Sequence, residues 1–316
     1  MVYLGVDVGK AEFFCAMVDD GKWHRNSFPN TRKGFQRLSA WLRNRRVNEL
    51  QACMEATGGF SEALAQYLVD CGFVVSIVNP FAIKAFSQSE LSRTKTDKAD
   101  AALIARYAAA MKPLAWVPPS RAERRLRQLV RRRHDLVSMS IQERNRLEAP
   151  ASEAAQSSIE GSIDFLKAQV VEIDREIRDV IDGDPDLRRK RELLTSIPGF
   201  GSTSAAALLG ELPRIDEMSS AKSLTALAGL CPQQRQSGTS LNSSRLTRLG
   251  RRSLRRLLYF PAVAARRANP RVKALADRMR LRGKTGMQII VASMRKLLIL
   301  AYGVLKSGRP FDPSWA

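Results

Sequence analysis

Short apolar runs open the chain. "VYLGVDV" (2–8), "FFCAMVDD" (13–20) and "WHRNSF" (23–28) are of strand length and are parted by Gly- and Asp-bearing turns. That pattern predicts three consecutive strands. The period then lengthens. In "TRKGFQRLSAWLRNRR" the apolar positions Phe35, Leu38 and Leu42 recur at helical spacing with Arg and Lys between them, an amphipathic helix. A strand "LQACMEA", a helix "SEALAQYLVDCG" ending at Gly72, a strand "FVVSIVNP" and a helix "DKADAALIARYAAAM" follow. The predicted order βββ-α-β-α-β-α is that of ribonuclease-H-like domains, an α/β sheet with helices on its faces.

After the proline-bearing linker "KPLAWVPPS" the periodicity is helical throughout. "RAERRLRQLVRRRHDLVSMSIQERNRLEA" predicts one long basic helix ended by Pro150. A second helix is expected over about 157–182. Its apolar residues Ile159, Ile163, Leu166, Val170, Ile173, Ile177 and Val180 alternate by four and three. Such a heptad seam packs lengthwise on another helix, either the preceding one or its copy in a second subunit. "DGDP" at 182–185 closes it, and a helix-rich remainder runs from about Leu193.

Composition changes the picture through charge. An excess of 21 positive charges implies self-repulsion that a polyanion relieves, and nucleic acid is the commonest such partner. Up to Met111 there are 14 Lys/Arg against 11 Asp/Glu, whereas from Lys112 onward there are 38 against 20. The first third is therefore nearly neutral, and the rest is suited to holding phosphates. Cys15, Cys53, Cys71 and Cys231 form no CxxC pair and no zinc spacing, so they read as reduced thiols. With no uninterrupted apolar stretch near 18 residues, a cytoplasmic protein without a membrane span is expected.

Four acids of the first third are candidate ligands. Asp7 lies in the first strand, Glu55 at the end of the fourth, and Asp97 and Asp100 share a helix face at i, i+3. Adjacent first and fourth strands with the last helix crossing beside them would gather all four. They could remain ionised together only around divalent cations. An all-oxygen set favours magnesium, with two Mg2+ ions suited to a phosphodiester displacement. Each acid alone has a plainer reading: a turn at Asp7, a strand end at Glu55, a solvated first helical turn at "DKAD". "GVDVGK" also matches the first phosphate loop of actin-like kinases, but the second loop and the Gly-Gly adenosine site are not apparent.

In the basic remainder, "SIPGFGSTSAAALLGEL" fits a helix-hairpin-helix, in which Gly199 and Gly201 let backbone N–H groups approach a phosphate. A tight interhelical turn is the alternative. Arg124, Arg125, Arg131 and Arg132 on the basic helix, and Arg245, Arg248, Arg251 and Arg252 in "RLTRLGRRSLRRLLY", can neutralise backbone phosphates. Ser237 is, on spacing alone, one of four serines in a polar loop.

The order Asp7, Glu55, "TKTDKADA", "IPGFG", "GLCPQQRQSG…RLTRLGRRSLRRLLY" resembles the DEDD-serine transposases of the IS-one-ten group of insertion sequences, with Piv-type invertases as relatives. The resemblance covers nearly the whole chain. It implies a RuvC-like catalytic domain (1–111), linker and coiled-coil helices (112–192), and a mostly helical transposase domain (193–316). It also implies metal-binding acids at Asp7, Glu55, Asp97 and Asp100, and a nucleophile at Ser237. The implied activity is Mg2+-dependent strand exchange through a phosphoserine–DNA ester. The implied partners are donor and target DNA, a structured bridge RNA as guide, and copies of the chain as a dimer or dimer of dimers, with the serine of one subunit completing the acids of another. Two other readings stand beside it: a RuvC-like junction nuclease using water, and a DNA-binding architectural protein with a decayed catalytic domain.

Overall fold

Val2–Val8 (β1) lies at the middle of a sheet, which explains its apolar content. It pairs antiparallel with Glu12–Asp19 (β2) and parallel with Leu50–Glu55 (β4). Lys22–Pro29 (β3) pairs antiparallel with β2, and Val74–Val78 (β5) pairs parallel with β4. The order β3-β2-β1-β4-β5 makes a mixed sheet and sets the first and fourth strands side by side, as expected. The structure, a computed structural model, describes residues 1–19, 21–56, 59–90, 96–149, 152–237, 241–246 and 250–314, with backbone alone at 97–98, 233–237 and 241–245. They divide into two units, Met1–Pro118 and Pro119–Ala316.

In the first unit, Arg32–Arg43 (α1) and Gly59–Asp70 (α2) cover one sheet face, burying Leu38, Leu42, Leu64 and Leu68 against Leu4, Val6 and Met54. Thr31 caps α1 by accepting from the Gly34 N–H. Asp97–Met111 (α4) lies against the other face, where Leu103, Ile104 and Ala108 meet Cys53. Gly5 marks the crossing. A Cβ there would lie 2.0 Å from the Ala101 carbonyl oxygen and 2.3 Å from the Ala105 nitrogen.

Pro80–Ser89 (α3) is a helix that the hydrophobic pattern does not announce, since Ile83 is its one buried residue. Its start is written instead in Asn79, which accepts from the Phe81 N–H, and Pro80 in the first turn. Glu90 just beyond it accepts a bidentate pair from Arg106 of α4. The start of the linker is held to the sheet. Gln51 Nε2 and Ser76 Oγ both donate to the Pro113 carbonyl, and the Trp116 N–H donates to the Val75 carbonyl at 2.6 Å.

The second unit is mostly helical. Arg121–Leu147 (α5) starts in a capping box of Ser120 and Glu123, and Glu153–Asp182 (α6) packs along it. Ile163, Leu166, Ile177 and Val180 of the α6 seam are buried, and Ile159, Val170 and Ile173 half-buried. Of the two neighbours open to this seam, the structure supplies the preceding helix, tied by Arg125–Glu176 at 2.5 Å and Arg133–Asp174 at 2.6 Å. Pro185–Thr195 (α7), Ser202–Glu211 (α8), Ala221–Leu227 (α9), Arg252–Ala268 (α10), Pro270–Leu281 (α11) and Gly286–Ser307 (α12) complete the helices. By length and composition α12 could cross a membrane, yet its Leu297, Leu298 and Ala301 are fully buried in the core with Leu194, Leu209 and Leu258.

The polar loop expected around Ser237 is corrected. Pro232–Ser237 (β6) and Leu241–Leu246 (β7) form an antiparallel hairpin. Its sequence, "PQQRQS" and "LNSSRL", lacks the β-branched and aromatic residues that normally mark strands, so the hairpin is held by backbone pairing and leaves no hydrophobic signature.

Candidate catalytic acids and nucleic-acid interface

Side-chain parity explains the carboxylate in an apolar strand. Leu4, Val6 and Val8 are buried on the face of β1 covered by α1 and α2. Tyr3, Gly5 and Asp7 take the opposite face, the one α4 crosses. On β4, Cys53 is buried on that same face, so Glu55 two residues on shares it. The parallel register pairs Val6 with Met54, and Asp7 and Glu55 are the next residue of each strand. Two half-buried acids 48 positions apart therefore stand on neighbouring strands, at one level and on one face.

The third acid belongs to helix α4, which crosses the same face. Asp100 lies in its first turn, half-buried, beside Ala101 at the Gly5 crossing. Asp97 begins the helix, and its side chain lies outside the described residues. The Thr96 hydroxyl caps this turn by accepting from the Ala99 N–H. Acids in a first turn are also favoured by the helix dipole, a structural reason for their presence that is independent of metal.

Among the described residues, no three His, Cys, Asp or Glu side chains close on a point that could hold a metal. The described acids alone are thus not a finished cage. Their chemistry is still that of a hard-cation site. The one sulfur on this face, Cys53, is pushed up to about 12 by burial and then by the charge of Glu55, so it stays a neutral thiol at pH 7 and supplies no thiolate. Carboxylate oxygens are what remains, a donor set that suits a hard divalent cation.

One residue here escaped the sequence reading. The Asn30 amide donates to the Gly9 carbonyl at 2.9 Å and to the Phe60 carbonyl at 3.2 Å. It ties the segment leaving Asp7 to the segment leaving Glu55. Its partners are backbone carbonyls distant in sequence, so no local pattern could have revealed it.

In the second unit, Ser237 is the last residue of β6, paired with Leu241, the first of β7, at the connected end of the hairpin. Its side chain and that of Arg245, opposite Gln233, lie outside the described residues, as does Arg248 altogether. Arg251 precedes α10; its N–H donates to the Leu227 carbonyl and its guanidinium to the Glu211 carbonyl. Burial pushes the Arg251 guanidinium below the usual arginine range; Glu211 opposes this, and Arg127 and Arg131 add to it. Arg252, Arg131 and Arg132 are exposed, Arg124 is half-buried, and Arg125 is engaged with Glu176.

The two glycines of "IPGFG" differ. Gly199 has φ +108°, and a Cβ there would meet the Ala265 Cβ at 2.5 Å, so its backbone packs directly on α10. Gly201 precedes α8 in open space, with no side chain capping that helix. The exposed backbone N–H groups lie at Gly201, not at Gly199.

Two family models match the chain. One, described as "Transposase", an IS110-type DEDD domain, covers residues 4–153; the other, "Transposase IS116/IS110/IS902 family", covers residues 191–277. The pilin gene-inverting protein of Moraxella bovis is 36% identical over 314 residues, 98% of this chain and 97% of its own length. An insertion element IS110 43.6 kDa protein of Streptomyces coelicolor is 33% identical over 120 residues, 38% of this chain and 30% of its own. T. thermophilus RuvC, solved with a Holliday junction, aligns with 35% of this chain and 96% of its own at 16% identity and a TM-score of 0.28.

Proposed function

The chain belongs to the IS110 family of transposases and their Piv-type invertase relatives, and from that premise we propose how its DNA recombinase chemistry is divided among its residues. The observation that carries the reading is the placement of Asp7 and Glu55 at one level of two parallel strands, one residue beyond the Val6–Met54 pair, on the face that α4 crosses. In this reading Asp7, Glu55, Asp97 and Asp100 would hold divalent magnesium, two ions of it. Such metal would supply positive charge against the scissile phosphate and the oxygens on which charge develops.

Ser237 supplies the nucleophile. Its Oγ forms a bond to phosphorus while the bond from phosphorus to the sugar oxygen breaks. The serine proton passes to solvent, and the departing sugar oxygen takes one up as a free hydroxyl. The product is a protein–DNA ester that keeps the energy of the broken bond, so a new strand end can displace the serine without ATP. Serine needs activation. His24 on β3 pairs with Met17 on the face that α1 and α2 cover, not the face that carries Asp7 and Glu55, and His134 belongs to α5 of the second unit.

A structured guide RNA supplies sequence choice by base pairing while the arginines of the second unit grip backbones. Subunits act as dimers or dimers of dimers, the serine of one serving the acids of another. Support for these two points is the family resemblance together with the charge of the second part of the chain.

The test is a denaturing gel of trapped reactions. The wild-type chain yields a detergent-resistant protein–DNA adduct, and Ser237→Ala yields none while still binding DNA. Persistence of the adduct in that variant removes the serine. Strand cleavage without any adduct points instead to a RuvC-like hydrolase. Mixing Asp7→Ala with Ser237→Ala subunits restores exchange if the two residues act across subunits. Sequencing of co-purified RNA tests the guide.

A second reading has its own observation. Full-length identity of 36% to pilin gene-inverting proteins supports site-specific inversion, which shares the chemistry and differs in the DNA sites joined.

A further inference from the structure

A cleft of about 600 Å³ opens in the second unit between α5, α6, α8 and α10, and none of the four acids, nor Ser237, is among the described residues that line it. Its volume lies within the range of small-ligand pockets, roughly 300–1,000 Å³. Val130, Ile177, Ile181 and Leu257 give it an apolar floor. Phe260 stands on its wall, 77% exposed, braced edge-on by Tyr259 with ring centroids 5.3 Å apart. An exposed aromatic ring beside an apolar slot suits the stacking of a flat ring.

The rim is cationic. Arg133 is engaged by Asp174, and Arg191 by Asp182. Arg131, Arg178 and Arg256 line the same cleft and pair with no carboxylate among the described residues. Arg131 also stands close enough to Arg251 for the two charges to oppose each other. The first turn of α8 supplies Ser202, Thr203 and Ser204 to the cleft, behind the uncapped Gly201. Its first N–H groups and these hydroxyls suit a phosphate. Two acids of the lining, Asp135 and Glu211, are acceptors of the kind that take hydrogen bonds from exocyclic amino groups of bases.

We infer that this cleft receives one unpaired nucleotide of a DNA or RNA strand, its base stacked on Phe260 and its phosphate held between Arg131, Arg256 and the start of α8. A purely apolar partner would leave the arginines unanswered, and a free anion would leave the apolar floor and Phe260 unused. A nucleotide answers both. The inference rests on the reading of the chain as a nucleic-acid enzyme and assigns where that enzyme holds a base taken out of its stack.

The test uses the full chain and four probes: a DNA duplex with a single bulged 2-aminopurine, the same duplex fully paired, and the two RNA counterparts. The bulged form of at least one polymer should bind about ten-fold tighter than its paired form, with quenching of the 2-aminopurine. Comparison of DNA with RNA identifies which strand supplies the nucleotide. Phe260→Ala should abolish both the preference and the quenching and leave paired-duplex affinity unchanged; Phe260→Trp should keep both. Arg256→Gln should lower the salt dependence of bulge binding by about one charge. If neither polymer shows a bulge preference, or if Phe260→Ala keeps it, the assignment falls. Paired-duplex binding separates the two levels: its presence without a bulge preference overturns only the cleft, whereas its absence overturns the nucleic-acid reading beneath it.

Discussion

The two units carry their candidate functional residues in opposite ways. In Met1–Pro118 the acids come from stretches far apart in sequence, and strand pairing brings Asp7 beside Glu55. In Pro119–Ala316 the arginines come in local runs, and single helices such as α5 and α10 present them. Chemistry at a phosphorus atom needs fixed positions, which a central sheet provides. Gripping a backbone needs charge more than position, and exposed helices suffice. The widest separation should appear on exchanging the damage. Asp7→Asn should lower strand cleavage by about 10³-fold or more, a loss of several kcal/mol of transition-state stabilisation, and leave duplex affinity within about two-fold. Arg131→Glu with Arg132→Glu should do the reverse, weakening binding steeply with salt. Cleavage assays at saturating protein, paired with anisotropy titrations, measure both; equal losses in the two variants would erase the distinction.

Position in the first unit depends on Gly5. Any Cβ there runs into backbone atoms of Ala101 and Ala105, which cannot rotate away as a side chain could. Gly5→Val should cost about 3 kcal/mol or more, at the upper end of overpacking effects. It should also cut cleavage beyond what the fall in stability explains, because α4 carries Asp100. Urea unfolding and cleavage at low temperature separate the two effects. Unchanged cleavage in a folded Gly5→Val protein would mean that the α4 acids are not part of the site.

The same contrast decides what could be read from sequence. The order of strands and helices in the first unit was legible because apolar runs and helical periods are local. Glu55 and Asp7 were legible as acids out of place in apolar strands, and the topology their order implied is the one observed. Helix α3 was not, because one buried residue writes no period, although Asn79-Pro80 announced its start. Hairpin β6–β7 was not, because backbone pairing of polar residues leaves no hydrophobic trace. Asn30 and the Phe260 cleft were beyond reach for a third reason: each exists through contacts between elements remote in the chain. The α6 seam lay between these cases; its period was plain, but the identity of its neighbour required coordinates.

A smaller test turns on the two glycines of "IPGFG". Gly199→Ala places a methyl against Ala265 at a φ of +108°, so it combines overpacking with backbone strain and should cost about 2–3 kcal/mol. Gly201→Ala meets open space and should cost about 1 kcal/mol or less, the difference between a tolerated and a poor helix cap. Their effects on DNA affinity should run the other way, with Gly201→Ala the larger if the start of α8 meets phosphate. Thermal melts and binding isotherms of the two variants give the four numbers.

Alkaline pH should separate the units by the least amount, through their thiols. Cys15 and Cys53 are buried in the first unit, and burial raises both; Cys53 reaches about 12, with Glu55 adding to the effect. In the unfolded chain a thiol ionises near pH 8.5. A group whose folded pKa is raised contributes its full stability below the unfolded value and loses it as pH climbs toward the folded one. Between about pH 8.5 and 12 the first unit should therefore lose up to about 1.4 kcal/mol per pH unit for each of the two thiols. Cys231, the only cysteine of the second unit, is half-exposed. Hydrogen exchange measured from pH 8 to 10 and corrected for intrinsic rates should show protection falling in β1 and β4 and holding in α8 and α12. Cys53→Ala, though less stable at pH 7, should have a shallower slope, because one proton-releasing group is gone. An unchanged slope would trace the alkaline loss to other groups, and an equal fall in α12 would mean that the two cores do not differ in this respect.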